Sequence, residues 1–186
     1  MYARAIHLDQ VDGRLPRAGD RPTAAQAASL FETFETRLRA YVAFRVREPA
    51  DVDDLVGDVF RRVVAGPIPS DEATWPAWLF RVAHNVVVDH YRRRRFLDPL
   101  AFGFDRPDDA PGLPEQAIRG EQLRATDGAL RRLPGRQRAA IYLRYYEDLE
   151  FSEIATVLNV PSSTARSLVH RGLKRVAAEL QTHGER

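Results

Sequence analysis

Cysteine is absent from this chain of 186 residues. The absence excludes disulfides, thiol catalysis, thiol-based redox sensing and the commonest zinc sites, and it fits a reducing cytoplasm. Long apolar runs are missing too. Hydrophobic residues make up 44% of the chain, yet nowhere do they approach the ~20 in succession that cross a bilayer, so no membrane insertion is expected. Residues 1–22 carry acids and prolines where a secretory signal needs an apolar stretch, which points to the cytoplasm. No glycine-rich phosphate loop follows a strand-like segment. The five histidines, His7, His84, His90, His170 and His183, show no ligand spacing. The paired acids Asp53-Asp54 and Asp108-Asp109 are sequence neighbours that diverge or sit in a loop. Solvated charge accounts for all of them, so no catalytic residue, no metal and no cofactor is expected.

What is present is segregated charge. The formal net charge is only +2, but its distribution says more than its sum. From Ala77 to Phe96 five Arg face a single acid, Asp89, and from Ser162 to Arg186 five Lys or Arg face two acids. Between them, Leu97 to Gln116 holds five acids and one Arg. Lys174 is the sole lysine, so nearly all the positive charge is arginine, whose planar fork suits phosphate and guanine.

Periodicity predicts an all-α chain: two small helical modules on a flexible linker, the second carrying a helix-turn-helix. Residues 1–26 form a flexible N-terminal extension, 27–96 the first module, 97–115 a Pro/Gly/Asp-rich linker and 116–182 the second module. In the first module Leu30, Phe31, Phe34, Leu38, Tyr41, Val42 and Val46 recur at helical steps. A second helix begins near Asp51, a suitable N-cap, with Val52, Leu55, Val56, Val59, Phe60 and Val63 on one stripe. Thr74 and Pro76 open a third helix. It buries Trp78, Leu79, Val82, Ala83 and Val86, displays Arg81, His84, Asn85, Val88 and Arg92, and ends in the run Arg92 to Arg95. Trp75, at the loop edge, is placed to stack on an unpaired base.

The stretch FSEIATVLNVPSSTARSLVHRGLKR meets the steric demands of a helix-turn-helix. Ile154, Ala155 and Leu158 supply the buried face of its first helix, and Asn159 suits a left-handed turn. Pro161 prevents continuation, and Ser162 or Ser163 caps the recognition helix. Ala165, Val169, Gly172 and Val176 anchor that helix. Its exposed face reads Ser163, Thr164, Arg166, Ser167, His170, Arg171 and Lys174. Leu168 belongs either to the packed face or to a partner.

The ordered stretches DVDDLVGDVFRRVV, WPAWLFRVAHNVVVDHYRRRR and LRRLPGRQRAAIYLRYYEDLE, followed by that helix-turn-helix, resemble a bacterial sigma factor of the extracytoplasmic-function group, with the second and fourth sigma regions only. The resemblance implies a promoter-specificity subunit, not itself an enzyme. Its partners would be core RNA polymerase (the β′ clamp helices and the β flap), promoter DNA both as duplex and as melted single strand, and an anti-sigma factor. On this resemblance Asp54, Leu55, Asp58, Val59 and Phe60 bind polymerase. The loop Ser70 to Trp75 with Arg81, His84, Asn85, Arg92 and Arg93 captures the melted minus-ten element. The face from Ser163 to Lys174 reads the minus-thirty-five element. Gly57 stands where the family usually has Gln, Glu150 for Ser, Asn159 for Gly, and Leu168 for a basic residue. The residues by themselves also admit a stand-alone helix-turn-helix DNA-binding transcriptional regulator, dimerising through its N-terminal helices, or an interaction protein that sequesters a regulator. The linker reaches on the order of 60 Å at ~3.3 Å per residue, enough to join modules on sites more than one ~35 Å turn of DNA apart.

Overall fold

A computed structural model of the chain describes residues 19–97 and 121–184. Most of the expected linker and the stretch 1–18 lie outside the described residues. Within them are seven α-helices and no strand, as the periodicity predicts.

The first helix, α1 (Ala24–Arg45), opens on a reciprocal cap. Gln26 N–H donates to Thr23 Oγ1 at 3.2 Å and Thr23 N–H donates to Gln26 Oε1 at 3.0 Å, satisfying two backbone donors that a helix start leaves over. Its inner face buries Leu30, Phe34, Leu38, Tyr41 and Val42. The second, α2 (Asp51–Ala65), buries Val52, Leu55, Val56, Val59 and Val63. Ala50, not Asp51, takes its N-cap position, with no side-chain cap. The Asp51 carboxylate reaches instead to His90 Nε2 at 3.3 Å and Arg94 Nη1 at 3.1 Å; a cationic partner on the neighbouring helix outcompetes the neutral backbone. A 3-10 turn, Glu72–Thr74, capped by Asp71, then leads into α3 (Trp75–Leu97).

The second group comprises α4 (Glu121–Arg131), α5 (Gly135–Tyr145), α6 (Phe151–Leu158) and α7 (Ser162–Gly184). The long α7 packs against each of the other three. It crosses α5 closely at Gly172, where a Cβ would stand 2.7 Å from Ile141 Cδ1 and 3.4 Å from Gln137 Cβ.

Sequence reasoning did not anticipate that the two groups are docked together: α3 packs on α6 and α1 on α5. Tyr142 of α5 meets Tyr41 and Phe44 of α1 at ring-centroid distances of 5.4 and 5.0 Å. Arg37 of α1 donates from Nε and Nη2 to Glu147 Oε2 at 2.9 and 2.6 Å. The fully buried Arg138 of α5 donates from Nη2 to the Arg45 carbonyl of α1 and from Nη1 to the Arg131 carbonyl of α4, each at 3.2 Å. Arg45 in turn donates from Nη1 to the Gly135 carbonyl.

Two glycines test this packing in opposite directions. Gly57 on α2 has nothing within 4 Å of a built Cβ, so Gly57→Ala should raise stability by about 1 kcal/mol through helix propensity. Gly172→Val overfills the α5–α7 crossing and should lower it by about 1–3 kcal/mol. Urea unfolding midpoints at constant slope check both.

Candidate nucleic-acid interface

The helix-turn-helix has the turn and buried faces its sequence predicts, but not the predicted cap of its second helix. Glu150 takes the N-cap position of α6, and its N–H donates to Glu153 Oε2 at 2.7 Å, the reciprocal half of a capping box. Asn159 adopts the left-handed conformation at φ 51°, ψ 56°, which an Asn side chain tolerates better than most. Neither serine caps α7. Ser162 already lies inside it, and the Pro161 carbonyl accepts from the N–H groups of Thr164 and Ala165 at 2.9 and 3.0 Å. Ala165, Leu168, Val169 and Val176 are buried, which resolves Leu168 as a packing residue.

On the opposite face Ser163, Arg166, Ser167, His170, Arg171 and Lys174 are exposed and Thr164 half-exposed. All seven expected minus-thirty-five residues therefore share one surface. The Arg166 guanidinium lies 4.7 Å from the centroid of the Phe151 ring. A cation at that distance is attracted to the ring face, while the side chain remains exposed. Ser167 Oγ donates to the Ser163 carbonyl at 2.9 Å.

The α3 face is divided. Asn85, Arg92 and Arg93 are exposed. Arg92 makes a 3.3 Å pair with Asp89, which Arg62 of α2 also contacts at 3.0 Å. Trp75 is half-buried, and its Nε1–H donates to the Pro69 carbonyl at 2.9 Å, making the ring a strut of the preceding loop. Arg81 faces the second group, lining a cleft of about 350 Å³ with Ser152, Thr156, Asn159 and Ser162.

His84 departs from the exposed position that periodicity suggested. It is buried and shares a 3.1 Å hydrogen bond through Nδ1 with the Tyr41 hydroxyl. Burial first, then the positive charges of Arg45 and Arg136, lower its pKa to about 3, so the ring is neutral at pH 7. A neutral, enclosed imidazole offers no charge to phosphate. His84 therefore positions α3 against α1.

The α2 surface also differs in part. Leu55 and Val59 are core residues that fix the helix and present nothing outward. Asp54 is exposed, Asp58 pairs with Arg61 at 2.5 Å, and Phe60 is half-buried. Sequence reasoning missed an apolar ridge here. Phe31, half-exposed on α1, packs on Phe60 at 4.8 Å, and exposed Val64 lies one turn beyond. The available signal was weak: Leu30 and Phe31 are ~100° apart on one helix, so one of the two lies toward the edge of the apolar stripe.

Comparison with known proteins sets this geometry in context. The family description "Sigma-70 region 2" matches residues 30–96 and "Sigma-70, region 4" residues 123–176. The RNA polymerase sigma factor SigZ of Bacillus subtilis is 29% identical over 144 residues, 77% of this chain and 80% of that protein. The ECF RNA polymerase sigma factor SigL of Mycobacterium tuberculosis is 29% identical over 171 residues, 87% of this chain and 94% of its own length. Among solved structures, the sigma factor RpoE in complex with the anti-sigma factor NepR from Bartonella quintana shares the fold. Its TM-score is 0.66 at 21% identity, covering 83% of this chain and 96% of that one.

The neutral burial of His84 makes stability depend on pH. Its pKa of about 3 lies below the ordinary 6.5, so the unfolded chain binds the extra proton and stability falls as pH drops from 6.5 toward 3, by on the order of a few kcal/mol. Glu147, pushed up by burial, contributes the opposite slope just above its ordinary value. Unfolding free energies of the unsubstituted chain and of His84→Gln between pH 7 and 4 isolate this histidine: the acid-side decline should be shallower in the variant, which keeps only the smaller part due to His90, also lowered by burial. An equal slope in both would place the imidazole in solvent.

Proposed function

The chain belongs to the sigma-70 family, in its extracytoplasmic-function group, and we propose that this RNA polymerase sigma factor directs core polymerase to promoters with two sets of residues on two separable modules. The exposed α7 face from Ser163 to Lys174 reads the minus-thirty-five element as duplex in the major groove. The loop from Ser70 to Trp75, with Asn85, Arg81, Arg92 and Arg93, takes the minus-ten element as single strand. Asp54, Asp58 and Phe60 meet the β′ clamp helices, with Phe31, Gly57 and Val64 extending that surface, and the second module meets the β flap. The protein contributes binding energy and strand separation to polymerase and no chemistry of its own. An anti-sigma factor is proposed as its regulator, since the sigma factor RpoE of similar fold was captured with one. No helix among the described residues is long and apolar enough to cross a membrane, in keeping with work in the cytoplasm.

The observation that carries this reading is the coexistence of a basic, polar recognition face on α7 with the exposed amide of Asn85 on α3. A stand-alone regulator has use for the first and none for the second.

The docked arrangement adds a mechanical requirement. The modules are packed directly on each other through α3 and α6, which leaves Arg81 lining the cleft against α6 and withholds it from a single strand. We infer that assembly on core polymerase separates the modules. The absence of cysteine makes this measurable with dyes at Thr33→Cys and Ala178→Cys, both exposed positions. Energy transfer between them should drop on adding core polymerase; unchanged transfer in the holoenzyme would refute separation.

In vitro transcription of a genomic fragment library with core polymerase, with and without the protein, tests the function itself. New transcripts sharing two upstream elements are expected. On such a promoter Asn85→Ala should slow strand opening while leaving polymerase binding nearly intact; equal loss of both would remove Asn85 from the minus-ten site. Arg166→Ala should weaken promoter binding and reduce its salt slope by about one.

A further inference from the structure

Among the described residues ahead of α1, Gly19 and Asp20 are tied to the first module. Gly19 N–H donates to the Ile68 carbonyl at 2.7 Å, and Ile68 N–H donates to the Asp20 carbonyl at 3.1 Å. Ile68 is buried, 5% exposed, so these bonds are partly shielded from water. The approach is close enough to require glycine: a Cβ on residue 19 would stand 2.7 Å from the Ile68 carbonyl oxygen and 3.4 Å from Ser70 N. Both atoms are backbone, so neither can swing aside.

Ile68 begins the loop that leads into α3. On its other flank the loop is held by the Trp75 indole, which donates to the Pro69 carbonyl at 2.9 Å. Asp71 closes the turn: its Oδ1 accepts from Ala73 N–H at 3.0 Å, and its carbonyl accepts from Thr74 Oγ1 at 2.7 Å. The loop is thus held at Ile68 by residues 19 and 20, and at Pro69 and Asp71 by Trp75 and Thr74 at the entry to α3.

We propose that Gly19 and Asp20 act as a backbone clamp that fixes the Ile68–Trp75 loop for capture of an unpaired promoter base, making the segment before α1 a positioning element for promoter opening. The inference rests on the assignment of that loop and Asn85 to the melted minus-ten strand. A loop ordered before binding loses less freedom when a base enters it, and it holds a single shape against which bases are discriminated. Neither Gly19 nor Asp20 need touch DNA. The clamp also explains why a segment outside both matched sigma regions is held against the first module at all.

The test uses four holoenzymes assembled on core polymerase: the unsubstituted chain, Gly19→Val, a chain lacking residues 1–20, and Asn85→Ala. Each is assayed on a promoter recovered from the fragment library, in its own sequence and with single-base changes in the unpaired part of the minus-ten element. Opening is read by 2-aminopurine fluorescence, alongside polymerase affinity and thermal midpoint. Gly19→Val and the truncated chain should open the promoter about tenfold more slowly, the effect of losing two modest hydrogen bonds, and should discriminate less between the single-base variants. Polymerase affinity should hold, and the thermal midpoint should fall by no more than the few degrees that two modest hydrogen bonds are worth. Parallel loss of midpoint, affinity and opening would reduce the contact to a fold-stabilising one and overturn the clamp. Impairment by Asn85→Ala alone would overturn the clamp while leaving the minus-ten assignment standing. No impairment by any of the three would overturn both.

Discussion

Arg138 joins two modules that the chain itself connects only through a long segment. Its guanidinium is enclosed, lies over the Phe44 ring at 5.7 Å, and donates to carbonyls on either side, Arg131 in its own module and Arg45 in the other. The Arg45 carbonyl sits at the C-terminal end of α1, where helix carbonyls lack intrahelical donors and the helix dipole favours a cation. Tyr91 of α3 donates to the same carbonyl at 2.9 Å. One oxygen thus gathers α1, α3 and α5. Around it the aromatic contacts of Tyr142 and the Arg37–Glu147 pair follow from the same approach of α5 to α1, and the α3–α6 contact follows from placing the second module there.

The consequence reaches function directly. The surfaces proposed for the two promoter elements lie on helices that are part of this contact or next to it. The α7 face stays open because α7 turns its apolar side toward α4, α5 and α6. Of the α3 residues proposed for the minus-ten strand, Asn85, Arg92 and Arg93 stay open, while Arg81 is drawn into the cleft beside the helix-turn-helix. Docking therefore leaves the face proposed for duplex recognition exposed and partly occupies the one proposed for single-strand recognition, an order that suits the proposed melting of DNA only after polymerase has joined.

What the sequence made legible was whatever local geometry decides. Helical period located the helices, Asn159 and Pro161 marked the turn, and the exposed residues of α7 followed from their spacing alone. Contacts set by tertiary approach were not legible. Nothing near Asp51 announces that His90 and Arg94 will arrive beside it, so its expected capping role gave way to an ion pair. His84 sits at a position that periodicity makes peripheral, and it became interior because α1 brings Tyr41 against it. Arg37 and Glu147 are 110 residues apart, and no local pattern couples them. Phe31 shows the reverse case, an aromatic assigned to the core by its type and left half-exposed by its angle on the helix. The family resemblance supplied the division into polymerase, minus-ten and minus-thirty-five surfaces, which composition and spacing could not.

The chemistry of the docked interface also bears on whether it can open. An interface that must hold permanently is best made of apolar surface, because burying charges costs desolvation, and replacing buried ion pairs by hydrophobic residues often stabilises by about 1–4 kcal/mol. This interface instead encloses the guanidinium groups of Arg45 and Arg138 and the carboxylate of Glu147. Most of what the modules lose in direct hydrogen bonds on parting is returned by water to these same groups, while the aromatic contacts of Tyr41, Phe44 and Tyr142 supply the cohesion that must be overcome. Such a contact is specific in register yet modest in net free energy. A partner that covers the separated faces with comparable area tips the balance, and core polymerase is the partner proposed for that role.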